Sequence, residues 1–466
     1  MTFFLMLFLP AYVLFAFAVS ESLVLFLSFF VSYLTLLGLS LSVERKIRFS
    51  YAGVSIVIFS LLFFLVAPLI QLQALSPRLV NTDAFDVHRA VAVNVMYAIF
   101  IGTYALTYFL ITHNKPFSLS VSVTKALALE EARRWRYGSA SMFFASTLAI
   151  LLAFACIIAL YSDWVSNKSL AVQLVLIKFI SLLPLYFFSY SQVRFRVEGR
   201  WYFFLLAVLF FVLILSLKNH YFERRNALGP VYVAILSFVF FNLFWRRWLY
   251  LSFSFFVMIV AFPASSILTH QYGILQNKLN LAETLVLAKD QLVGHYSDLH
   301  YDAWANGVSM LKMLSETGYS YGQQLLGTFF FFVPRQLWQD KPIATGEMLG
   351  RYLMSNAQLW FSNISFALPY EGYADFGYFG VILFAVVLAL MVAWLERSLL
   401  KDFSYLVFYS YFCFYLYFLL RGSLLAAFSY GIGAFWQSWS FPGCSGVFQG
   451  AVRCDGRSVG SWSDRR

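Results

Sequence analysis

Uncharged apolar runs of roughly 18–22 residues recur along this chain, each long enough to cross ~30 Å of hydrocarbon as a helix. The gaps between them are short and hold most of the charge. Backbone groups in lipid must satisfy one another, so spanning runs of this kind are helices. The strands of a membrane barrel alternate apolar and polar residues at period two, and these runs do not. The pattern predicts about twelve spans, near 2–20, 22–43, 51–75, 91–112, 139–161, 170–190, 201–217, 229–245, 248–268, 377–395, 403–420 and 423–439. The first reads as a membrane helix rather than a removed signal, because it lacks a basic start and a small-residue cleavage site. No internal repeat of the kind that marks inverted-repeat transporters is present.

Orientation follows from Lys and Arg in the short loops. Arg45, Lys46 and Arg48 lie between spans 2 and 3, and Lys115, Lys125, Arg133, Arg134 and Arg136 between spans 4 and 5. Arg194, Arg196 and Arg200 precede span 7, Arg246 and Arg247 precede span 9, and Arg397 and Lys401 precede span 11. All these loops fall on one side of a twelve-span chain, which is therefore the expected cytoplasmic side, with both termini on it. The expected fold class is an all-α polytopic integral membrane protein with one large extracytoplasmic loop that contains helices. Residues 1–268 make spans 1–9, 269–376 the large loop, 377–439 the last three spans, and 440–466 a Gly/Ser-rich disordered cytoplasmic tail. Inside the loop, Trp304, Val308, Leu311 and Leu314 recur at helical spacing and predict a helix over 298–317, capped by Ser297 or Asp298. The run LLGTFFFFV at 325–333 is too short to span and Pro334 ends it, so it reads as re-entrant or interfacial.

Composition removes the soluble alternative. Of 466 residues 61% are hydrophobic and only 12% charged, and 54 are Phe, more than a soluble core can absorb without leaving apolar surface in water. The formal charge of +11 sits in loops where it sets topology, so it does not point to nucleic acid. Of the four cysteines none has metal-ligand spacing, and neither a zinc site nor a disulfide framework is expected. His295 and His300, five apart, do not share a helix face, and no metal or other cofactor is expected.

Charge on the outer side is the anomaly. Lys218, His220, Arg224 and Arg225 crowd one outer loop, Arg335 and Lys341 stand within PRQLWQDKP, and Arg421 stands between spans 11 and 12. A single outer Arg is commonly a boundary anchor that snorkels to headgroups. As a set, planar guanidinium forks suit the bidentate binding of phosphate oxygens, and several together can stabilise a departing diphosphate. Glycosyl transfer also needs a base for the proton of the attacking hydroxyl. Asp302, Asp340, Glu347, Glu371 and Asp375 lie on the same side, each more often a solvated carboxylate or an Arg partner. Asp83, Asp86 and His88 read as a solvated polar loop. The chain has no Gly-rich loop ending in Gly-Lys-Ser/Thr, so ATP is not the expected energy source. Nor do the short cytoplasmic loops leave room for a nucleotide-sugar domain.

Three segments resemble the Wzy-type oligosaccharide repeat-unit (O-antigen) polymerases: YGQQLLGTFFFFVPRQLWQDKP at 321–342, YEGYADFGYFGVILF at 370–384 and LLRGSLLAAF at 419–428. YDAW at 301–304 falls where that family often has an Asp-containing helix. The resemblance covers roughly 300–428 by motif, and the tail after 440 departs from it. It implies a metal-independent membrane glycosyltransferase acting on undecaprenyl-diphosphate-linked oligosaccharide at the outer face of the bacterial cytoplasmic (inner) membrane. Its product would be surface polysaccharide: O-antigen, capsule or exopolysaccharide. A chain-length regulator is an implied partner beside the membrane lipids. It implies Arg335, Arg421 and one of Arg224 or Arg225 as holders of the donor diphosphate, with Lys341 assisting. Trp338 and Tyr373 would stack on sugar rings, and Glu371, then Asp302, would be the polar catalytic partners. An O-antigen ligase using the same donor stays open beside this reading, since it too needs outer arginines. A flippase for lipid-linked oligosaccharide is the third reading, although Lys178 is the one charge found within a span.

Overall fold

The computed structural model describes residues 1–45, 48–113, 246–261, 294–333, 335–399, 403–428 and 431. The spans expected near 139–161, 170–190, 201–217 and 229–245, most of 423–439, and the tail lie outside the described residues, as do Arg224 and Arg225.

Helices dominate. The described helices are α1 (Thr2–Val19), α2 (Leu23–Val43), α3 (Tyr51–Leu75), α4 (Val87–Thr112) and α5 (Arg247–Phe256). They continue with α6 (Ala303–Thr317), α7 (Gln323–Phe329), α8 (Thr345–Asn356), α9 (Leu368–Ser398) and α10 (Phe403–Arg421). Five of them, α1, α2, α3, α4 and α9, are long and apolar enough to cross a membrane. By length and composition they make this chain a membrane protein. A two-residue antiparallel pair, β1 (Glu44–Arg45) with β2 (Arg48–Phe49), turns the chain between α2 and α3.

The helix starts follow local rules. Ser22 Oγ accepts from Leu25 N–H (3.2 Å), Ser50 Oγ from Gly53 N–H (2.9 Å) and Asp86 Oδ1 from Arg89 N–H (2.8 Å). Each satisfies an orphan donor of a first turn, worth about 1 kcal/mol. In α3 the turn Leu61–Val66 widens to a π-helix just before Pro68, whose ring lacks an N–H and crowds the carbonyl of Phe64. This helix is enclosed by protein over nearly its whole length, whereas α1 is enclosed on one side only.

Packing centres on α4, which lies against α2 and α9, while α10 lies against α3. Asn94 on α4 ties three elements together. Its Nδ2 donates to Ser28 on α2 (2.8 Å), and its Oδ1 accepts from the indole N–H of Trp304 on α6 (2.8 Å). Such inter-helix bonds in a membrane contribute about 0.6 kcal/mol each.

The helix ends sort into two groups. At one end, Ser76 donates to Glu21, Thr82 to the carbonyl of Ala357, and Asn81 to Asn306. At the other, Arg397 donates to the Ile111 carbonyl (2.7 Å), and Glu396 accepts from Ser50, Tyr108 and Tyr409. Basic Arg45 lies over the Phe109 ring (4.0 Å) at this second end, and Arg247 over Phe49 (5.2 Å). The first end carries α6, α7 and α8.

Candidate functional site

Asp302 opens α6, and its carboxylate is almost wholly enclosed. Oδ1 accepts from Ser365 Oγ (2.5 Å) and from Arg421 Nη2 (3.3 Å). Oδ2 accepts from Asn306 Nδ2 (2.8 Å) and Ser365 N–H (3.3 Å). Four donors on one buried carboxylate leave its charge fully compensated. Arg421, the last residue of α10, also donates from Nη2 to the Leu299 carbonyl (3.2 Å). Its side chain remains 28% exposed. Its Nε is buried and bonds no described residue, and none bonds Nη1. The guanidinium is thus gripped along one edge.

The segment 365–371 carries the site from Asp302 to Glu371. Ser365 serves Asp302, the Phe366 N–H donates to the Arg421 carbonyl (3.0 Å), and Ala367 caps α9. One turn later Glu371, also buried, accepts on Oε1 from Thr345 Oγ1 and from the Leu424 N–H (2.6 Å). Oε2 accepts from no described residue. Arg421, Asp302 and Glu371 therefore belong to one connected network built from α6, α8, α9 and the end of α10.

A bend in α9 makes this arrangement possible. Phe376 and Gly377 depart from helical geometry, and Gly377 has φ +63°, a backbone that favours glycine. The bend lays Gly372 against Gly380 so closely that a Cβ on Gly380 would collide with the Gly372 carbonyl. The short stretch 371–380 thus turns Glu371 and Asp375 back over the bundle end. Asp375 is consumed locally, accepting from Ser320 Oγ (2.7 Å) and from the N–H groups of Gln324 (3.3 Å) and Leu325 (3.0 Å) at the start of α7.

Arg335 and Lys341 form a second, self-contained element. Arg335 donates to the carbonyls of Lys341 (2.7 Å) and Pro342 (3.3 Å). Lys341 Nζ donates to those of Phe331 (2.6 Å) and Val333 (2.9 Å). Burial, then the neighbouring Arg335 charge, holds the Lys341 ammonium below its ordinary pKa. Arg335 itself is exposed, and two carbonyls leave donors of its fork for a ligand. The helix α7 covers only part of the expected 325–333 run, which continues as turns. Phe329 and Phe331 pack on Phe428 (5.4 and 6.4 Å), which joins this element to the turn after Arg421.

Tyr373 lies in an exposed aromatic group that sequence spacing did not collect. Its hydroxyl accepts from Tyr319 (3.3 Å), and its ring meets those of Tyr319 (5.7 Å) and Tyr378 (5.2 Å) edge-on. Such faces suit the C–H surfaces of sugars. Trp338 is half-buried in the Arg335 element. Of the remaining acidic candidates, Glu347 pairs with Arg351 (2.6 Å) and Asp340 is exposed. Asp83 is buried and pairs with Lys312 (3.3 Å), and Asp86 caps α4.

No family model matches this chain, and neither a curated protein nor a solved structure matches it.

Proposed function

We propose that this chain polymerises oligosaccharide repeat units carried on undecaprenyl diphosphate, at the outer face of a bacterial cytoplasmic membrane. The observation that carries the reading is the Arg421 guanidinium at the end of α10. Asp302 and Leu299 fix one edge of it, and it stays partly open. A fork oriented in this way costs little to organise when it meets phosphate oxygens. On this reading the chain crosses the membrane about twelve times, both termini are cytoplasmic, and 269–376 form a large periplasmic loop. The gathering of α6, α7 and α8 at one bundle end, with Arg45 and Arg397 at the other, supports that orientation.

The chemistry is a displacement at the anomeric carbon of the donor sugar. The hydroxyl oxygen at the non-reducing end of a new unit forms the bond, and the carbon–oxygen bond to diphosphate breaks. The diphosphate leaves with the electron pair, held by Arg421 and Arg335 with Lys341 in support. Arg224 or Arg225, from the outer loop between spans 7 and 8, completes the phosphate site. The acceptor proton passes to Glu371 Oε2. Asp302 orients Arg421, and Tyr373 with Trp338 offers stacking faces. A chain-length regulator would act on the assembled complex.

The test is complementation in a strain lacking this gene, read as the polysaccharide ladder on a gel with membrane levels checked. Deletion should leave single repeat units, and wild type should restore a ladder that Arg421→Lys, present at the wild-type level, restores only weakly. Deletion that leaves no surface repeat unit at all would shift the reading to the ligase or the flippase.

A further inference from the structure

A short segment beside Arg421 gathers three metal-binding side chains. His295 and His300 do not lie on one helix, so helical spacing is the wrong measure for them. His295 ends a helical stretch just before the turn at 296–297, and His300 lies in the 3-10 turn Leu299–Tyr301, which folds the chain back on itself. Their rings stack at 4.6 Å. Asp298 stands between them in sequence and caps the 3-10 turn, its Oδ1 accepting from the Leu299 N–H (2.7 Å). Its Oδ2 lies 3.8 Å from His300 Nε2. One ligand atom from each of the three residues falls within 4.8 Å of the others.

We propose that His295, Asp298 and His300 bind a divalent transition metal of the zinc class. Three atoms no more than 4.8 Å apart have a point within about 2.8 Å of all of them, against the ~2.0–2.2 Å of zinc–imidazole and zinc–carboxylate bonds. Small side-chain rotations close that gap. Two imidazoles with one carboxylate select zinc, cobalt or iron over magnesium and calcium, which prefer oxygen. The support is already built. His295 is buried with its ring edge-on to Tyr301 (5.5 Å), and Tyr301 is itself enclosed and stacked on Tyr296 (4.7 Å). Gln71 on α3 donates to the carbonyls of both Tyr296 and Tyr301 (3.0 Å each) and fixes the segment from below.

The site lies next to the Arg421 network without being part of it. Leu299, between Asp298 and His300, supplies the carbonyl that Arg421 grips, and Asp302 follows two residues after His300. A bound metal would clamp 295–300 and so hold that carbonyl in place. The role is structural, and the inference does not depend on the glycosyl-transfer reading.

The test uses full-length protein in detergent, free of any histidine tag, stripped of metal and titrated with Co2+ and then Zn2+. About one equivalent of Co2+ should bind with visible d–d absorption that Zn2+ abolishes. Asp298→Asn and His300→Gln, eluting from gel filtration as the wild type does, should lose at least about a hundredfold in affinity, more than an outer-shell change costs. Wild type that binds neither ion at micromolar concentration overturns the site, as do folded variants that bind like wild type. If the variants do not fold, X-ray absorption of zinc-loaded wild type decides: two imidazoles in the ligand set support the site, and fewer overturn it.

Discussion

The guanidinium of Arg421 lies 3.3 Å from the carboxylate of Asp302, across 119 residues of sequence. Asp302 is enclosed, so the pair is not a surface ion pair that solvent would screen. Removing Arg421 leaves the buried carboxylate without its cation, and removing Asp302 leaves the donors of Asn306 and Ser365 without their acceptor, a loss of about 3 kcal/mol or more in either case. Asp302→Ala should therefore lower both the unfolding temperature in detergent and the membrane level. Arg421→Lys keeps the charge but not the fork. It should keep the protein level and lower polymerisation by about tenfold or more, equivalent to ~1.4 kcal/mol. Equal activity of Arg421→Lys and wild type would remove the bidentate role.

Among the described residues Glu371 accepts both of its bonds on Oε1, so Glu371→Gln can keep the contacts with Thr345 and Leu424 through its amide oxygen. The variant should accumulate normally while polymerisation falls by about 10²–10⁴-fold, the usual weight of a general base. A Glu371→Gln protein that still builds a ladder of normal intensity would remove Glu371 from the proton transfer.

Arg335 and Lys341 stabilise one loop from its two sides, so their substitutions should not add. Arg335→Ala and Lys341→Ala together should cost little more than either alone in a double-mutant cycle of ladder intensity. The pH dependence has a definite sign. The Lys341 pKa is lower folded than unfolded, so between those two values the unfolded chain binds more protons. Stability then rises with pH across that alkaline interval. Lys341→Met should flatten that rise in thermal unfolding measured as a function of pH.

The Gly372–Gly380 contact should tolerate no side chain. Gly380→Ala forces the two backbones apart and should cost about 1–3 kcal/mol, visible as reduced membrane level. Phe379 beside it is exposed, so Phe379→Leu should be neutral by the same measure.

Much of the frame was legible because lipid imposes a coarse, long-range rule on sequence. The helices α1, α2, α3 and α4 fall close to their expected bounds, and Asp298 caps the turn that leads into the expected 298–317 helix. The site was legible only as a list. Charge and motif singled out Arg421, Asp302 and Glu371, yet nothing in their spacing says that Ser365 and Leu424 join them. That link depends on the bend at Gly377, a backbone event at one residue. Asp375 shows the same limit. As a bare outer carboxylate it ranked with the base candidates, whereas its oxygens are occupied by the first turn of α7. His295 and His300 share no helix face, yet the turn at 296–297 between them brings their rings together.

The bend in α9 also has a consequence in time. Glu371 leaves the ribosome 53 residues before Leu424, the partner that holds it. At about 5–20 residues per second that is a delay of several seconds. Asp302 waits longer still for Arg421. The helices can insert as they emerge, but the network that joins them closes only when α10 has arrived. A chain stalled within α10 would thus sit in the membrane with its earlier helices inserted and its site unmade.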